Sequence, residues 1–258
     1  MRLWIRYFAM QLKCRMQYKA SFFWAVFGQF LTAFASFFSI RFIFDRISHV
    51  DDFSFAEVLL CFSVVMLSFA IGEMFGGGLA AFSTLLGDGS FDRIMVRPRS
   101  TILQVLAPNT DFTRLGLIIQ AVIVLIYAIR TSGIHWSVSK MFLVGLMVLC
   151  GSIVFFCLFL MTAAISFFTV ESMDILTVFT YGARQLGKYP FSVYGKEVLK
   201  FLTFVIPLAL FQYYPLLYLI DRQSDVLYFL CPLFSLLFII PAYALYQFGI
   251  RRFKSTGS

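Results

Sequence analysis

Apolar residues in this chain are gathered into long runs separated by short polar stretches. Charge-free segments cover Ala20 to Ile40, Met141 to Val170, Phe201 to Ile220 and Val226 to Ile250. Two shorter ones, Val58 to Gly72 and Leu115 to Ile129, are flanked by single charges that can snorkel to an interface. A helix crossing a bilayer needs roughly 20 mostly apolar residues. The pattern therefore predicts an all-α polytopic membrane protein. The first run is too long for a signal-peptide core and no small-residue cleavage pattern follows it, so it is expected to be a retained span.

That run carries a finer rhythm. Ser21, Ala25, Gly28, Thr32, Ala35 and Ser39 recur at alternating spacings of four and three. Phe23, Phe27, Phe30, Phe34 and Phe37 repeat the rhythm two residues later, roughly 200° around a helix. Small residues let backbones approach closely in lipid, so the small face predicts a packing seam, within or between subunits. The phenylalanine ridge either faces lipid or lines a path for an amphiphilic cargo. Ahead of it, MRLWIRYFAMQLKCRMQYK puts Arg2, Arg6, Lys13 and Gln17 in one sector, with Trp4, Tyr7, Phe8 and Leu12 around the rest. This predicts an interfacial helix. Arg15 and Lys19 break the sector, so a basic topology anchor is the other reading.

Composition agrees: 60% of the 258 residues are hydrophobic and 13% charged, against about a quarter charged in soluble domains. The net charge of +8 marks the cytosolic side and anionic lipid in such a chain. No basic face lies outside the membrane flanks, so nucleic acid is not expected as a partner. Five basic residues precede Ala20, four lie between Glu73 and Arg114, and three lie in the tail RRFKSTGS, whereas Arg41 to Glu57 holds two basic and four acidic residues. This alternation puts both termini and the loop near residues 76–110 in the cytosol, with an even number of crossings.

Candidate chemistry is sparse. Cys14, Cys61, Cys150, Cys157 and Cys231 form no C-x-x-C pair, so neither a disulfide framework nor a metal site is expected. GARQLGKY (residues 182–189) imitates a phosphate-binding loop, but Tyr189 stands where Ser or Thr must hold magnesium and no strand precedes it. His49 and His135 fall in predicted outer loops. Glu73, Glu171 and Asp174 are expected at cytosolic span ends, as solvated termini. No catalytic residues and no bound cofactor are expected, hence no enzyme.

GDGSFDRIMVRPRS (residues 87–100) interrupts the apolar pattern with paired charges. Gly76, Gly77 and Gly78 can end or bend the preceding helix, Ser90 can cap FDRIMV, and Pro98 stops it. Together with GGGLAAFSTLLGDGSFDRIMVRPRS, FFTVESMDILTVFTYGARQLGKYP and FSVYGKEVLKFLTFVIPLALFQYYPLLYLID, it resembles the ABC-2 type permeases. These are membrane subunits of ATP-binding-cassette exporters, in bacteria paired with a separate ATPase and often a second permease.

The resemblance implies six spans, at 20–44, 54–75, 110–130, 140–169, 170–188 and 226–250. It adds an interfacial helix at 1–19, a cytosolic coupling region at 76–100 and an outer re-entrant helical hairpin at 189–220. Simple hydropathy instead makes Phe201 to Ile220 the fifth span. Proline at 190, 207 and 215 favours the broken element. The resemblance also implies ATPase contact through Leu79, Phe82, Leu85, Leu86, Asp88, Phe91, Asp92, Arg93 and Arg97, and an outer gate at Pro190, Pro207, Tyr213, Tyr214 and Pro215. ATP and magnesium would sit in the partner, two ATPase copies serving two permeases in a bacterial cytoplasmic membrane. A scaffold or regulatory subunit is the first alternative; a channel or secondary carrier, which should show pore-lining polar residues or internal symmetry, is the second.

Overall fold

The apolar runs fold as helices. The computed structural model describes residues 2–47, 49–106, 108–168 and 173–253. Helix α1 (Arg2–Met16) turns at residues 17–18 into α2 (Lys19–Phe44), and α3 (Phe55–Gly76) follows. Three short helices come next: α4 (Phe82–Gly87), α5 (Ser90–Met95) and α6 (Thr101–Leu106). Then come α7 (Leu115–Thr131), α8 (Val138–Ser166) and α9 (Met173–Leu186). A broken stretch holds α10 (Lys196–Phe204), α11 (Leu208–Phe211) and α12 (Tyr213–Leu219), before α13 (Val226–Ser235) and α14 (Ile239–Arg252). Among the described residues the only β feature is an isolated Val50–Phe53 bridge.

Five helical runs are long and apolar enough to cross a membrane: Lys19–Phe44, Phe55–Gly87, Phe112–Thr131, Val138–Ser166 and Val226–Arg252. A sixth candidate is the pair Lys196–Phe204 and Leu208–Leu219, bent by 87° at Pro207. The chain is thus a multi-pass membrane protein. Helix α9 has 14 residues, about 21 Å at 1.5 Å per residue. Residues 169–172, where the expected fifth span begins at Glu171, lie outside the described residues, and of Asp174 only the backbone is described.

Helix α3 is the axis of the packing. Val58 to Phe62 are at most 1% exposed, as are Phe69 and Ala70, and α8 and α7 cover it. The crossing of α3 on α8 uses small residues. Ser68 donates to the Val148 carbonyl at 3.3 Å, and a Cβ on Gly151 would stand 2.6 Å from Ser68 Oγ. Such contact gives dispersion and hydrogen bonding where lipid offers no hydrophobic drive.

Helix α2 meets α7 by a face other than its small one. Its contact with α7 is so close that a Cβ on Gly116 would lie 2.1 Å from the Val26 carbonyl oxygen. Ala33 and Ile40 are buried there, and Phe37 meets Tyr127 edge-on at 6.5 Å. The small face points the other way: Ser21, Ala25, Thr32, Ala35 and Ser39 are exposed, and nothing lies within 4 Å of a Cβ built on Gly28. The close approach is made by Gly116 of α7. The ridge is split, with Phe23 62% exposed and Phe30, Phe34 and Phe37 partly covered.

Two helix ends also differ. Gly76 to Gly78 do not end α3; it tightens into a 3-10 stretch, Gly77–Ala81, and runs on through α4. In the last span, tightening falls at Leu236–Phe238, between Pro232 and Pro241.

Candidate coupling surface and buried charge cluster

The break falls after Gly87. Gly89 adopts φ +70°, a left-handed geometry cheap only for glycine. It takes the N-cap position of α5, and Ser90 is the first helical residue rather than the cap. Asp88 supplies the cap in its place: its Oδ1 accepts from the Ser90 amide at 2.9 Å and from the Ser90 hydroxyl. These bonds hold Asp88 below the ordinary aspartate range. After Pro98, Gln104 pins the following turn, donating to the carbonyls of Ile94 and Arg99.

Within this region Leu79, Phe82, Leu86 and Phe91 are buried, Leu85 is half-buried, and Asp88, Arg93 and Arg97 are exposed, with Asp92 between. The four buried side chains turn inward. Phe91 packs on Phe82 at 5.0 Å, Phe167 at 5.4 Å and Phe253 at 5.2 Å. Phe167 in turn meets Tyr246 at 6.0 Å, and Tyr246 donates to Thr101 Oγ1 at 3.2 Å. This aromatic box fastens the polar patch to the ends of α8 and α14, so a force on α5 reaches both. The apolar members anchor the patch, and its outward surface is charged.

A second site was not foreseen. Glu73, expected as a solvated terminus, is 1% exposed. Arg114 Nε lies 3.2 Å from its Oε2, and Tyr181 donates to its Oε1 at 2.7 Å. Asp111 Oδ2 also lies 3.2 Å from that Nε. Arg184 stands over the Phe69 ring at 4.9 Å. A buried carboxylate tolerates this depth only because paired. It ties α3, α7 and α9 together.

At the opposite end, Lys140 contacts both oxygens of Asp221 at 2.7 Å. Arg222 covers the Phe53 ring at 4.4 Å and lies 3.8 Å from Glu57, whose carboxylate completes a capping box with Ser54. Of the expected gate residues, Pro190 and Pro215 are buried and Pro207 stands at the 87° bend. Tyr213 and Tyr214 pack edge-on at 5.5 Å. Gln212, fully buried beside them, donates to the carbonyls of Gly187 and Tyr189, in the turn that follows α9. The stretch 182–189 is helical over most of its length and forms no loop around a phosphate.

No curated protein and no solved structure matches the chain. A family model described as "ABC-2 family transporter protein" matches residues 30–257, a span that takes in the charged patch, its aromatic box and the buried cluster. With apolar helices able to cross a membrane five or six times, the chain belongs to the ABC-2 family of transporter proteins.

Proposed function

We propose that the chain is the permease subunit of an ABC exporter, driven by ATP hydrolysis in a partner ATPase. It moves an amphiphilic or hydrophobic cargo (a drug, peptide or lipid-like molecule) outward. Both termini and the patch face the cytosol of a bacterial cytoplasmic membrane. Helix α1 lies in the interface, and 189–220 forms the outer re-entrant element. Two ATPases grip two permeases, identical or related, and the open small face of α2 is a candidate seam. The observation that carries this reading is the charged patch braced by Phe82, Phe91, Phe167, Tyr246 and Phe253, because a coupling surface must transmit load without yielding. Work reaches the cargo only if the patch contacts the ATPase differently in its two states.

Affinity purification tests it. An ATPase subunit should stay bound in detergent and detach when Asp92→Lys and Arg93→Glu are combined; retention by that variant defeats the coupling role. On a Cys14→Ser background, Lys196→Cys should react with an impermeant thiol reagent from outside. Labelling only from the cytosol would reverse the re-entrant assignment.

A further inference from the structure

Lys188 is placed where a lone cation is costly. Gly187, its neighbour, is packed on Val65, ten residues into α3 from Phe55, so about 15 Å along that span and near the middle of the apolar layer. Among the described residues its ammonium group touches only Ser36 Oγ, at 3.2 Å. Arg184, one turn earlier, makes no hydrogen bond and no close ion pair with the described residues, and its Nε has no hydrogen-bond partner; it lies over the Phe69 ring and in the field of Glu73. Lower down, Arg114 reaches Gln29 Oε1 at 3.4 Å. The two acids of this cluster, Glu73 and Asp111, both pair with Arg114.

These contacts fall along one strip of α2. Tyr18, Phe22, Ala25, Gln29 and Ser36 are spaced four, three, four and seven, which keeps them on one side of a helix. Gln29 to Ser36 spans about 10 Å. At the N-terminal end the strip opens into a cleft of about 260 Å³ bordered by Arg15, Tyr18, Ser21, Ala25 and Thr113. Positive groups therefore run from an open cleft to mid-membrane depth, and the anionic charge stops at the lower end. An intramembrane ionisable group is retained for what it binds.

We propose that this strip, with Arg184 and Lys188 at its inner end, binds the anionic headgroup of an amphiphile: a phosphate or carboxylate carried on an acyl chain. The headgroup supplies an anion for Lys188, whose one hydrogen bond among the described residues goes to a neutral hydroxyl, and a further acceptor for Arg184, and its chain lies in the surrounding lipid. The inference rests on the permease reading, and it names the chemical class of the cargo.

The test uses the full chain in dodecyl maltoside without ATPase. The probes are phosphatidic acid and phosphatidylcholine with identical fluorescent acyl chains. Phosphatidic acid should bind about tenfold tighter or more, as expected for one charge-assisted contact. Lys188→Gln and Arg184→Gln should each erode the preference, and Lys188→Arg, with its charge kept, should retain it. Equal binding of the two lipids, a preference unchanged in both Gln variants, or displacement of the probe by equimolar inorganic phosphate overturns the proposal. Absence of preference alongside successful ATPase capture defeats this inference alone. Preference without ATPase capture defeats the transport reading alone.

Discussion

Glu73 offers the sharpest check on how the buried cluster is held. In the wild type its carboxylate, 1% exposed, accepts from Tyr181 at 2.7 Å and faces Arg114 at 3.2 Å. Glu73→Ala removes the anion and leaves two buried guanidinium groups behind. Breaking a buried pair from one side costs about 3–5 kcal/mol. Asp111 still holds Arg114, which places the expectation near the lower bound, about 3 kcal/mol. Tyr181→Phe deletes one hydrogen bond to a charged group, about 1.5–3 kcal/mol, and should be the milder change. Glu73→Gln combined with Arg114→Gln should recover about 1–3 kcal/mol relative to the summed single variants. Unfolding in mixed dodecyl maltoside and dodecyl sulfate micelles, followed by tryptophan fluorescence, measures each of these variants. A Glu73→Ala loss under about 0.5 kcal/mol, the range of surface substitutions, would refute the pairing. So would additivity of the two Gln changes.

Gly116→Leu should force α2 away from α7, because even a Cβ would stand 2.1 Å from the Val26 carbonyl oxygen; the overpacking costs about 1–3 kcal/mol or more, read as a lowered unfolding midpoint. Gln212→Leu strips the cap from the Gly187 and Tyr189 carbonyls and should cost about 1–3 kcal/mol, with faster hydrogen exchange at the end of α9 as its local signature. Asp88 has its pKa lowered by Ser90 from an ordinary 3.8, so its contribution to the turn is complete above that value. The contribution is lost as pH falls through the depressed value. Hydrogen exchange at the Ser90 amide should accelerate in that acid window, and Asp88→Ala should remove the pH step.

The sequence was most legible where one property decides. Length and hydropathy located α2, α3, α7, α8 and the α13–α14 run, since twenty apolar residues have few other fates. The break at Gly87 and Gly89 was legible as a turn, but its cap was misassigned to Ser90, because the spacing of Asp88 and Ser90 serves either residue. The small face of α2 is not the face that meets α7: closeness there depends on what the neighbour presents, and Gly116 on α7 supplies it. Nothing in the apolar pattern distinguished Leu79, Phe82, Leu86 and Phe91 as anchors rather than contacts, since an exposed and a buried helix face read alike in a chain solvated by lipid. Glu73, Arg114, Tyr181 and Arg184 are far apart in sequence, and only tertiary packing unites them. Arg184 and Lys188 did carry a signal. Two cations four residues apart at the end of an apolar helix needed a partner, and the sequence, which excludes a phosphate-binding loop there, names none.

The unbroken run Phe55–Gly87 has 33 residues, about 50 Å of helix, whereas the hydrocarbon layer takes up about 30 Å. With its Phe55 end, held by Ser54, Glu57 and Arg222, at one face of the hydrocarbon, the surplus of about 20 Å projects past the other. The charged patch would then stand clear of the lipid headgroups, together with the ends of α8 and α14 that its aromatic box holds. An ATPase seated on it as proposed would meet the patch in water, beyond reach of the membrane's own surface charge, and swapping zwitterionic for acidic lipid should leave that grip unchanged.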